Sequence, residues 1–178
     1  MGKIRIIGGT HRSRVLPVLD MPGLRPTLDR VKETLFNWLG QDLTGKSCLD
    51  LFTGSGSLAF EAVSRNAALV VMLDKEAKVV QQLRSNIALL GSSCCQLYQQ
   101  DALTFASNCK DKFDIIFLDP PYQSDLLLRS LEIVPRLLKP RGLIYIESQG
   151  AIDLINYNIL KQGRAGSVYY ALLTCNEG

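Results

Sequence analysis

An aspartate, two prolines and a tyrosine end an apolar run in the segment FDIIFLDPPYQS at 113–124. A proline holds the residue before it in an extended conformation, and neither Pro120 nor Pro121 has a backbone N–H. The segment therefore presents hydrogen-bond acceptors, the Asp119 carboxylate and backbone carbonyls, beside the flat ring of Tyr122. Such a set suits a planar group with an exocyclic amine, and we predict that Asp119, Pro120 and Tyr122 orient one. A plain strand terminator with an exposed aromatic is the alternative.

A glycine turn follows an earlier apolar run, in the segment DLFTGSG at 50–56. Glycines after a strand let the backbone approach a ligand closely and turn into a helix N-terminus. The turn is not the complete G-x-G-x-x-G fingerprint, because Ser57, Leu58 and Ala59 follow Gly56. Taken alone, it is also compatible with an ordinary connection.

Two further acids, Asp74 and Asp101, each close a predicted strand. Asp74 follows Gly56 by 18 residues, which fits the carboxylate that binds ribose hydroxyls in nucleoside-binding folds. Asp101 can accept a hydrogen bond from an adenine amino group, and a helix N-cap is the alternative for both acids. The predicted cofactor-binding residues are Asp50, Phe52, Gly54, Ser55, Gly56, Asp74, Lys75, Asp101, Ala102 and Asp119.

Alternating strands and helices position these residues. Apolar runs predict strands, and helical periodicity between them predicts a doubly wound, mostly parallel α/β sheet, which binds ligands outside the carboxyl ends of its strands. The predicted strands are 47–52, 69–74, 95–101, 113–119 and 142–148, and the predicted helices are 57–67, 75–91, 102–109 and 124–138. Two last runs, 157–163 and 167–175, predict a C-terminal β-hairpin.

The N-terminal part of the chain differs from the rest in charge. Residues 1–32 hold seven Lys or Arg and two acids, whereas 33–178 hold thirteen and fifteen. We predict a small hairpin from 4–7 and 15–18, then a helix at 28–39 with Thr27 as its N-cap. A basic extension (1–44) on a second unit (45–178) favours a polyanionic partner, nucleic acid first, although a solvated basic face is the alternative.

Composition excludes several classes of protein. A length of 178 residues with 47% hydrophobic content predicts a folded chain with a sizeable core. Five cysteines without a C-x-x-C pair, and a single histidine, do not predict a zinc site. The sequence has neither the apolar core of a signal peptide nor an apolar run of about 18 residues, so a cytoplasmic protein is expected.

In its motifs the sequence resembles the class I S-adenosylmethionine-dependent methyltransferases with a D/N-P-P-Y/F motif, and in particular the bacterial 16S ribosomal RNA guanine-N2 methyltransferase family. That family carries R-I-I-G-G-x-x-R-x-R-x-L, R-P-T-x-D-R-V-x-E-x-L-F-N-W-L, L-D-L-F-x-G-S-G, E-A-x-S-R and D-P-P-Y, here at 5–16, 25–39, 49–56, 61–65 and 119–122. Two departures are Asp74, where the family often has Glu, and Thr53, where it commonly has Ala.

The resemblance implies a Rossmann-like methyltransferase domain that moves a methyl group from S-adenosyl-L-methionine to the 2-amino group of a guanine in 16S rRNA. It also implies a monomer that acts on assembled or late-stage 30S particles, with Arg25-Pro26-Thr27 folded over the cofactor. The residues expected to hold RNA phosphates are Arg5, Arg12, Arg14, Arg25, Arg30 and Lys32.

Three other readings of the sequence are a DNA adenine or cytosine amino-methyltransferase, a dinucleotide-dependent oxidoreductase and a non-catalytic RNA-binding module. The first usually needs an extra target-recognition region, for which 178 residues leave little room. The second requires the fuller glycine fingerprint and assigns no role to the D-P-P-Y motif. An intact acid and tyrosine argue against the third.

Overall fold

The computed structural model describes residues 2–122 and 124–176. Its strands are β1 (Gly2–Arg5), β2 (Val15–Val18), β3 (Ser47–Asp50), β4 (Leu69–Asp74), β5 (Cys95–Gln99), β6 (Phe113–Leu118), β7 (Leu138–Gln149), β8 (Tyr157–Ala165) and β9 (Val168–Cys175). Its helices are α1 (Asp29–Leu39), α2 (Ser57–Ser64), α3 (Ala77–Leu90), α4 (Ala102–Asn108) and α5 (Leu126–Ile133), and a 3-10 turn follows at Val134–Leu137.

The main sheet has the strand order β5-β4-β3-β6-β7-β9-β8. Strands β3 to β7 pair in parallel, whereas β9 is antiparallel to both β7 and β8. After β3 the chain builds outward through β4 and β5, then returns to the other side of β3 with β6. This reversal is the point at which doubly wound sheets open a ligand crevice. The predicted fold class is confirmed, and the C-terminal hairpin belongs to the same sheet.

Two hydrophobic cores cover the two faces of the sheet. Helices α1, α2 and α3 pack on one face, together with the N-terminal hairpin. Helices α4 and α5 and the 3-10 turn pack on the other. Burial on both faces explains why the inner strands β4 and β6 are apolar at nearly every position, whereas the edge strand β5 is not. No helix in the described part of the chain is long and apolar enough to cross a membrane.

Some predicted element boundaries differ from the structure. The helix predicted at 124–138 ends at Ile133, because Pro135 cannot donate within an α-helix and the chain tightens into the 3-10 turn. The following strand begins at Leu138, before the predicted start at 142. The helix predicted with Thr27 as its N-cap has Leu28 at that position, without a side-chain cap. The N-cap prediction for Thr27 is therefore wrong.

The loop after β1 locks onto helix α2. The carboxylate of Glu61, which is fully buried, accepts hydrogen bonds from Ile7 N at 2.8 Å and Gly8 N at 3.3 Å. Gly9 has a φ of +78°, and a Cβ added there would lie 2.0 Å from the carbonyl oxygen of Ser64. The G-G pair and the E-A-x-S-R motif, which are far apart in sequence, thus form one contact.

The N-terminal hairpin does not stand apart from the body of the protein. Its inward side chains Ile4, Ile6, Leu16 and Val18 are buried in the same core as α1 and α2. The arginines of this hairpin are therefore held on a fixed surface. The assignment of 1–44 as an RNA-binding extension stays a prediction.

Candidate active site

A cavity of about 630 Å³ opens at the carboxyl ends of the parallel strands. Its wall combines the ends of β3, β4, β6 and β7, the segment 21–28 before α1, and the start of α4. This volume lies within the range of about 300–1,000 Å³ that is usual for small-molecule sites. The cavity sits at the switch point between β3 and β6, where the fold predicts ligand binding.

A hydrogen bond from a backbone N–H to a side-chain carboxylate joins the glycine turn after β3 to Asp74 at the end of β4. Gly54 N donates to Asp74 Oδ2 at 3.3 Å, and Glu76 N donates to Asp74 Oδ1 at 3.0 Å. A Cβ added to Gly54 would lie 3.1 Å from a methyl group of Leu24, so the absence of a side chain keeps this wall open. The carboxylate of Asp74 is thereby held at the cavity in a fixed orientation.

Asp101 both lines the cavity and caps helix α4. Its Oδ2 accepts hydrogen bonds from Thr104 N at 3.0 Å and from Thr104 Oγ1 at 3.1 Å. The capping role, which the sequence left as an alternative, is therefore present. The second carboxylate oxygen of Asp101 is not used in these bonds.

Gly56, which was predicted to bind the cofactor, does not line the cavity. It has a φ of +87°, and a Cβ there would lie 2.4 Å from the ring of Phe60. Its role is to let α2 begin directly against the aromatic core. Backbone conformation and packing are thus sufficient to explain this glycine, and a cofactor contact at Gly56 stays a prediction.

Two buried polar atoms in the cavity wall have no protein partner, Asp50 Oδ1 and Ser57 Oγ, and they are the only such side-chain atoms among the described residues. Asp50 is 2% exposed. A buried polar group without a hydrogen bond costs free energy. Both atoms therefore lie where a bound ligand could supply a donor.

Asp119, which is half-buried, and Glu147, which is buried, both line the cavity, and their carboxyl groups interact with each other. Burial raises the pKa of Asp119 well above its usual value, and the charges of Glu147 and Asp50 raise it further. Burial also raises the pKa of Glu147, but hydrogen bonds from Tyr145, Asp119 and Thr27 oppose that rise. These directions favour the protonated form of Asp119 beside a Glu147 carboxylate that accepts hydrogen bonds.

Burial of Asp50 gives the protein a predicted pH dependence. It raises the pKa of this carboxyl to about 7, so the folded protein holds a proton that the unfolded chain releases near pH 4. Stability should therefore fall as pH rises between these values. We expect Asp50→Asn to flatten this slope and to raise the free energy of unfolding at pH 8 by a few kcal/mol, on the order of two to four.

Urea unfolding at pH 5 and pH 8 measures this effect. Asp111→Asn, an exposed acid, is the matched control and should leave the slope as it is. An unchanged slope in Asp50→Asn would show that Asp50 is ionised in the folded protein at pH 5.

Tyr122 also lines the cavity, and one of its faces is covered by an arginine. The guanidinium carbon of Arg25 lies 4.4 Å from the centre of the Tyr122 ring. Pro26 and Thr27 line the cavity as well. The segment before α1 thus reaches the D-P-P-Y motif, and the prediction that it folds over the cofactor stays a prediction.

The predicted phosphate-binding residues divide into two groups. Arg5, Arg12, Arg14 and Arg30 are exposed outside the cavity, and Arg25 is exposed at its wall. Lys32 is only 1% exposed, donates to the Arg5 carbonyl at 2.6 Å and lies 4.0 Å from Glu61. Its ammonium group cannot reach a phosphate, so the RNA-binding prediction for Lys32 is wrong.

Most of the predicted site residues meet in this one cavity. They are Asp50, Phe52, Gly54, Ser55, Asp74, Lys75, Asp101, Ala102, Asp119, Pro120 and Tyr122. Sequence reasoning missed Glu147, which belongs to no motif used there. Its signal was an acid near the end of an otherwise apolar predicted strand, at the edge where the other acids were already expected.

Residues 4–174 match the model of a protein family described as Conserved hypothetical protein 95. The chain belongs to this family. Two relatives carry the name Ribosomal RNA small subunit methyltransferase D. The relative from Haemophilus influenzae is 43% identical, with 96% of this chain and 93% of the relative covered. The relative from Escherichia coli K12 is 41% identical, with 96% and 89% covered.

Solved structures agree with membership of this family. A candidate methyltransferase from Escherichia coli superposes with a TM-score of 0.88 at 40% identity, with 98% of each chain covered. A candidate methylase from Haemophilus influenzae gives 0.85 at 39% identity, with 99% of this chain and 100% of that chain covered. The resemblance identified from the motifs is confirmed at the level of small-subunit rRNA methyltransferase relatives.

Proposed function

We propose that this protein transfers a methyl group from S-adenosylmethionine to the 2-amino group of a guanine in 16S rRNA. The observation that carries the proposal is that the D-P-P-Y segment and the acids at the ends of β3 and β4 line one cavity. A nucleoside site and a site for a planar amine are therefore within reach of each other. The names of the relatives favour small-subunit rRNA as the source of that amine.

The residues of the cavity fit S-adenosylmethionine. Asp74, held by the N–H groups of Gly54 and Glu76, would accept hydrogen bonds from the ribose hydroxyls, and the free oxygen of Asp101 would accept one from the adenine amine. The unpartnered oxygen of Asp50 suits an ammonium group or a sulfonium centre nearby. When bound, this cofactor supplies a methyl group on a positively charged sulfur, which is already activated for transfer.

The chain's own contribution at the amine is orientation. The guanine amine donates two hydrogen bonds. One goes to the Asp119 oxygen that faces away from Glu147, and the other goes to the Pro120 carbonyl. This turns the nitrogen lone pair toward the methyl donor. Placing two reactants in this way is worth up to about 7–11 kcal/mol of the barrier.

Tyr122 provides the stacking surface for the base. Because Arg25 covers one face of the ring, the guanine would stack on the other. Such stacking contributes about 1–3 kcal/mol per base. The target must leave its own stack to reach the cavity, which costs less for a guanine in a loop than in a helix.

The reaction is tested with tritiated S-adenosylmethionine and three substrates: 30S subunits, protein-free 16S rRNA and duplex DNA. The 30S subunits should come from cells that lack their own enzyme of this type. We expect label in 30S subunits, recovered after nuclease digestion as N2-methylguanosine. Label in duplex DNA alone, or no label in any substrate despite cofactor binding, would overturn the proposal.

The exposed arginines should set the salt dependence of RNA binding. Each phosphate contact removed lowers the slope of log affinity against log salt by about one. We therefore expect the triple variant Arg12→Ala, Arg14→Ala, Arg30→Ala to lower the slope by about three. Filter binding of 16S rRNA between low and physiological salt measures it.

A matched control removes three exposed cations from the opposite edge of the sheet. Lys46, Lys110 and Lys112 precede parallel strands, so they lie at the amino edge, away from the cavity. Their triple alanine variant should keep the wild-type slope. An equal decrease of the salt slope in both variants would mean that RNA binding depends on net charge and not on contacts with Arg12, Arg14 and Arg30.

A further inference from the structure

Glu147 lies beside Asp119 in the sheet. Leu118 of β6 pairs with Ile146 of β7, so the next residue of each strand, Asp119 and Glu147, continues the same parallel register. Glu147 is 5% exposed and lines the same cavity. The two carboxyl groups are therefore neighbours, and each shifts the pKa of the other.

Glu147 is itself held from two further directions. Tyr145, two residues earlier on β7, donates its hydroxyl to Glu147 Oε1 at 2.7 Å. Thr27, from the segment before α1, is a second side-chain donor. Tyr145 is fully buried and packs edge-on against Phe117, so its hydroxyl has little freedom. The carboxylate of Glu147 is therefore more rigidly placed than that of an acid at a cavity wall usually is.

This arrangement lowers the stability of the fold. A buried carboxyl such as that of Glu147 destabilises a protein relative to an apolar residue of the same shape. A single acceptor would satisfy the Tyr145 hydroxyl, and the four residues of β7 before Glu147, 143–146, are aliphatic or aromatic. The interaction with Asp119 is the feature that a purely structural role leaves unexplained.

We propose that Glu147 is a positioning residue for methyl transfer, which fixes the Asp119 carboxyl so that its other oxygen faces the substrate amine. The proposal rests on the proposed function for its catalytic part. Thr27 and Tyr145 hold Glu147, and Glu147 holds Asp119. The segment before α1 is thereby connected to the group that orients the amine.

Several charged or titratable groups surround this pair. Asp50 approaches from the end of β3, Arg25 from the segment before α1, and Tyr122 from the D-P-P-Y segment. The charges of Glu147 and Asp50 favour the protonated form of Asp119, whereas that of Arg25 opposes it. Removing the charge of Glu147 should therefore let Asp119 ionise at lower pH.

The test compares Glu147→Ala and Glu147→Gln with the matched control Glu132→Ala, an exposed acid on α5. We expect Glu147→Ala to lower kcat by about 10²-fold, the cost of a small misplacement at the reacting group. Glu147→Gln keeps the shape and an acceptor for Tyr145, so it should recover most of that loss. Affinity for S-adenosylhomocysteine, measured by calorimetry, should stay within a few-fold of wild type in all three.

A second readout does not need the reaction. Infrared difference spectra across a pH titration of the free protein report the protonated carboxyl of Asp119, identified by its loss in Asp119→Asn. In Glu147→Gln this band should titrate at lower pH than in wild type. If Glu147→Ala does not fold, the titration in Glu147→Gln still tests the inference by itself.

Wild-type kcat in Glu147→Ala would overturn the inference, and so would an unchanged Asp119 titration in Glu147→Gln. Equal losses of kcat in the Ala and Gln variants, matched by equal losses of stability, would also overturn it, since they indicate a structural role. Failure of the proposed function is distinct: the wild-type protein would then not methylate rRNA, while the infrared titration would still report on Asp119 and Glu147.

Discussion

Replacing Asp119 with alanine is expected to lower kcat for methyl transfer on the order of 10³-fold, which corresponds to about 4 kcal/mol. The amine would lose the acceptor that turns its lone pair toward the methyl donor. The fold should survive, because burial already keeps this acid in its less costly protonated form and its removal takes away a strained group. Single-turnover transfer of tritiated methyl groups to 30S subunits measures the change.

Cofactor affinity separates orientation from binding in this variant. S-adenosylhomocysteine should bind within a few-fold of wild type, because Asp74 and Asp101 hold the nucleoside part. Asp119→Asn keeps one acceptor oxygen and should lose less activity than Asp119→Ala. Asp125→Ala, an exposed acid a few residues later, is the matched control. Wild-type kcat in Asp119→Ala would remove Asp119 from the mechanism.

Replacing Glu61 with alanine is expected to lower the free energy of unfolding by about 3–5 kcal/mol, since it leaves two buried cations without their carboxylate. Glu61 lies 3.4 Å from Arg65 Nε and 4.0 Å from Lys32 Nζ, and all three side chains are buried. The N–H groups of Ile7 and Gly8 would also lose their acceptor. For a protein of this size the unfolding temperature should drop by roughly 10 °C.

Urea unfolding and calorimetry measure this loss. Glu33→Ala, an exposed acid on α1, is the control and should change stability by less than about 0.5 kcal/mol. Glu61→Gln retains one acceptor oxygen for these N–H groups and should fall between the two. If Glu61→Ala were as stable as the control, the two cations would have to find water or other partners in the folded protein.

Local sequence patterns were enough to predict the site residues at the strand ends. Asp74 and Asp119 each follow a buried apolar run in a chain of alternating strands and helices. Because parallel strands in a doubly wound sheet end at one edge, these acids had to face a common crevice. Gly54 followed from the same logic, since a backbone approached by a ligand favours a residue without a side chain.

Local sequence patterns did not predict which side chains would contact each other. Lys32 was read as a phosphate contact because it lies in a basic stretch, yet the fold places it beside Glu61, far away in sequence. Thr27 has the side chain of an N-cap, but it donates to Glu147 across the cavity. Gly56 resembles a ligand-binding glycine, and packing against Phe60 accounts for it. In each case a long-range contact decided the role.

The sequence by itself determined the α/β class, the edge of the sheet that carries the site and the acids Asp74 and Asp119, because burial periodicity and chain alternation are local properties. Only the tertiary structure decided that Glu147 joins Asp119, that Glu61 anchors the loop after β1 and that Lys32 is buried. Those outcomes depend on which strands become neighbours and on how the N-terminal hairpin packs on α2. Such contacts form only when distant segments meet, and residue type at one position does not encode them.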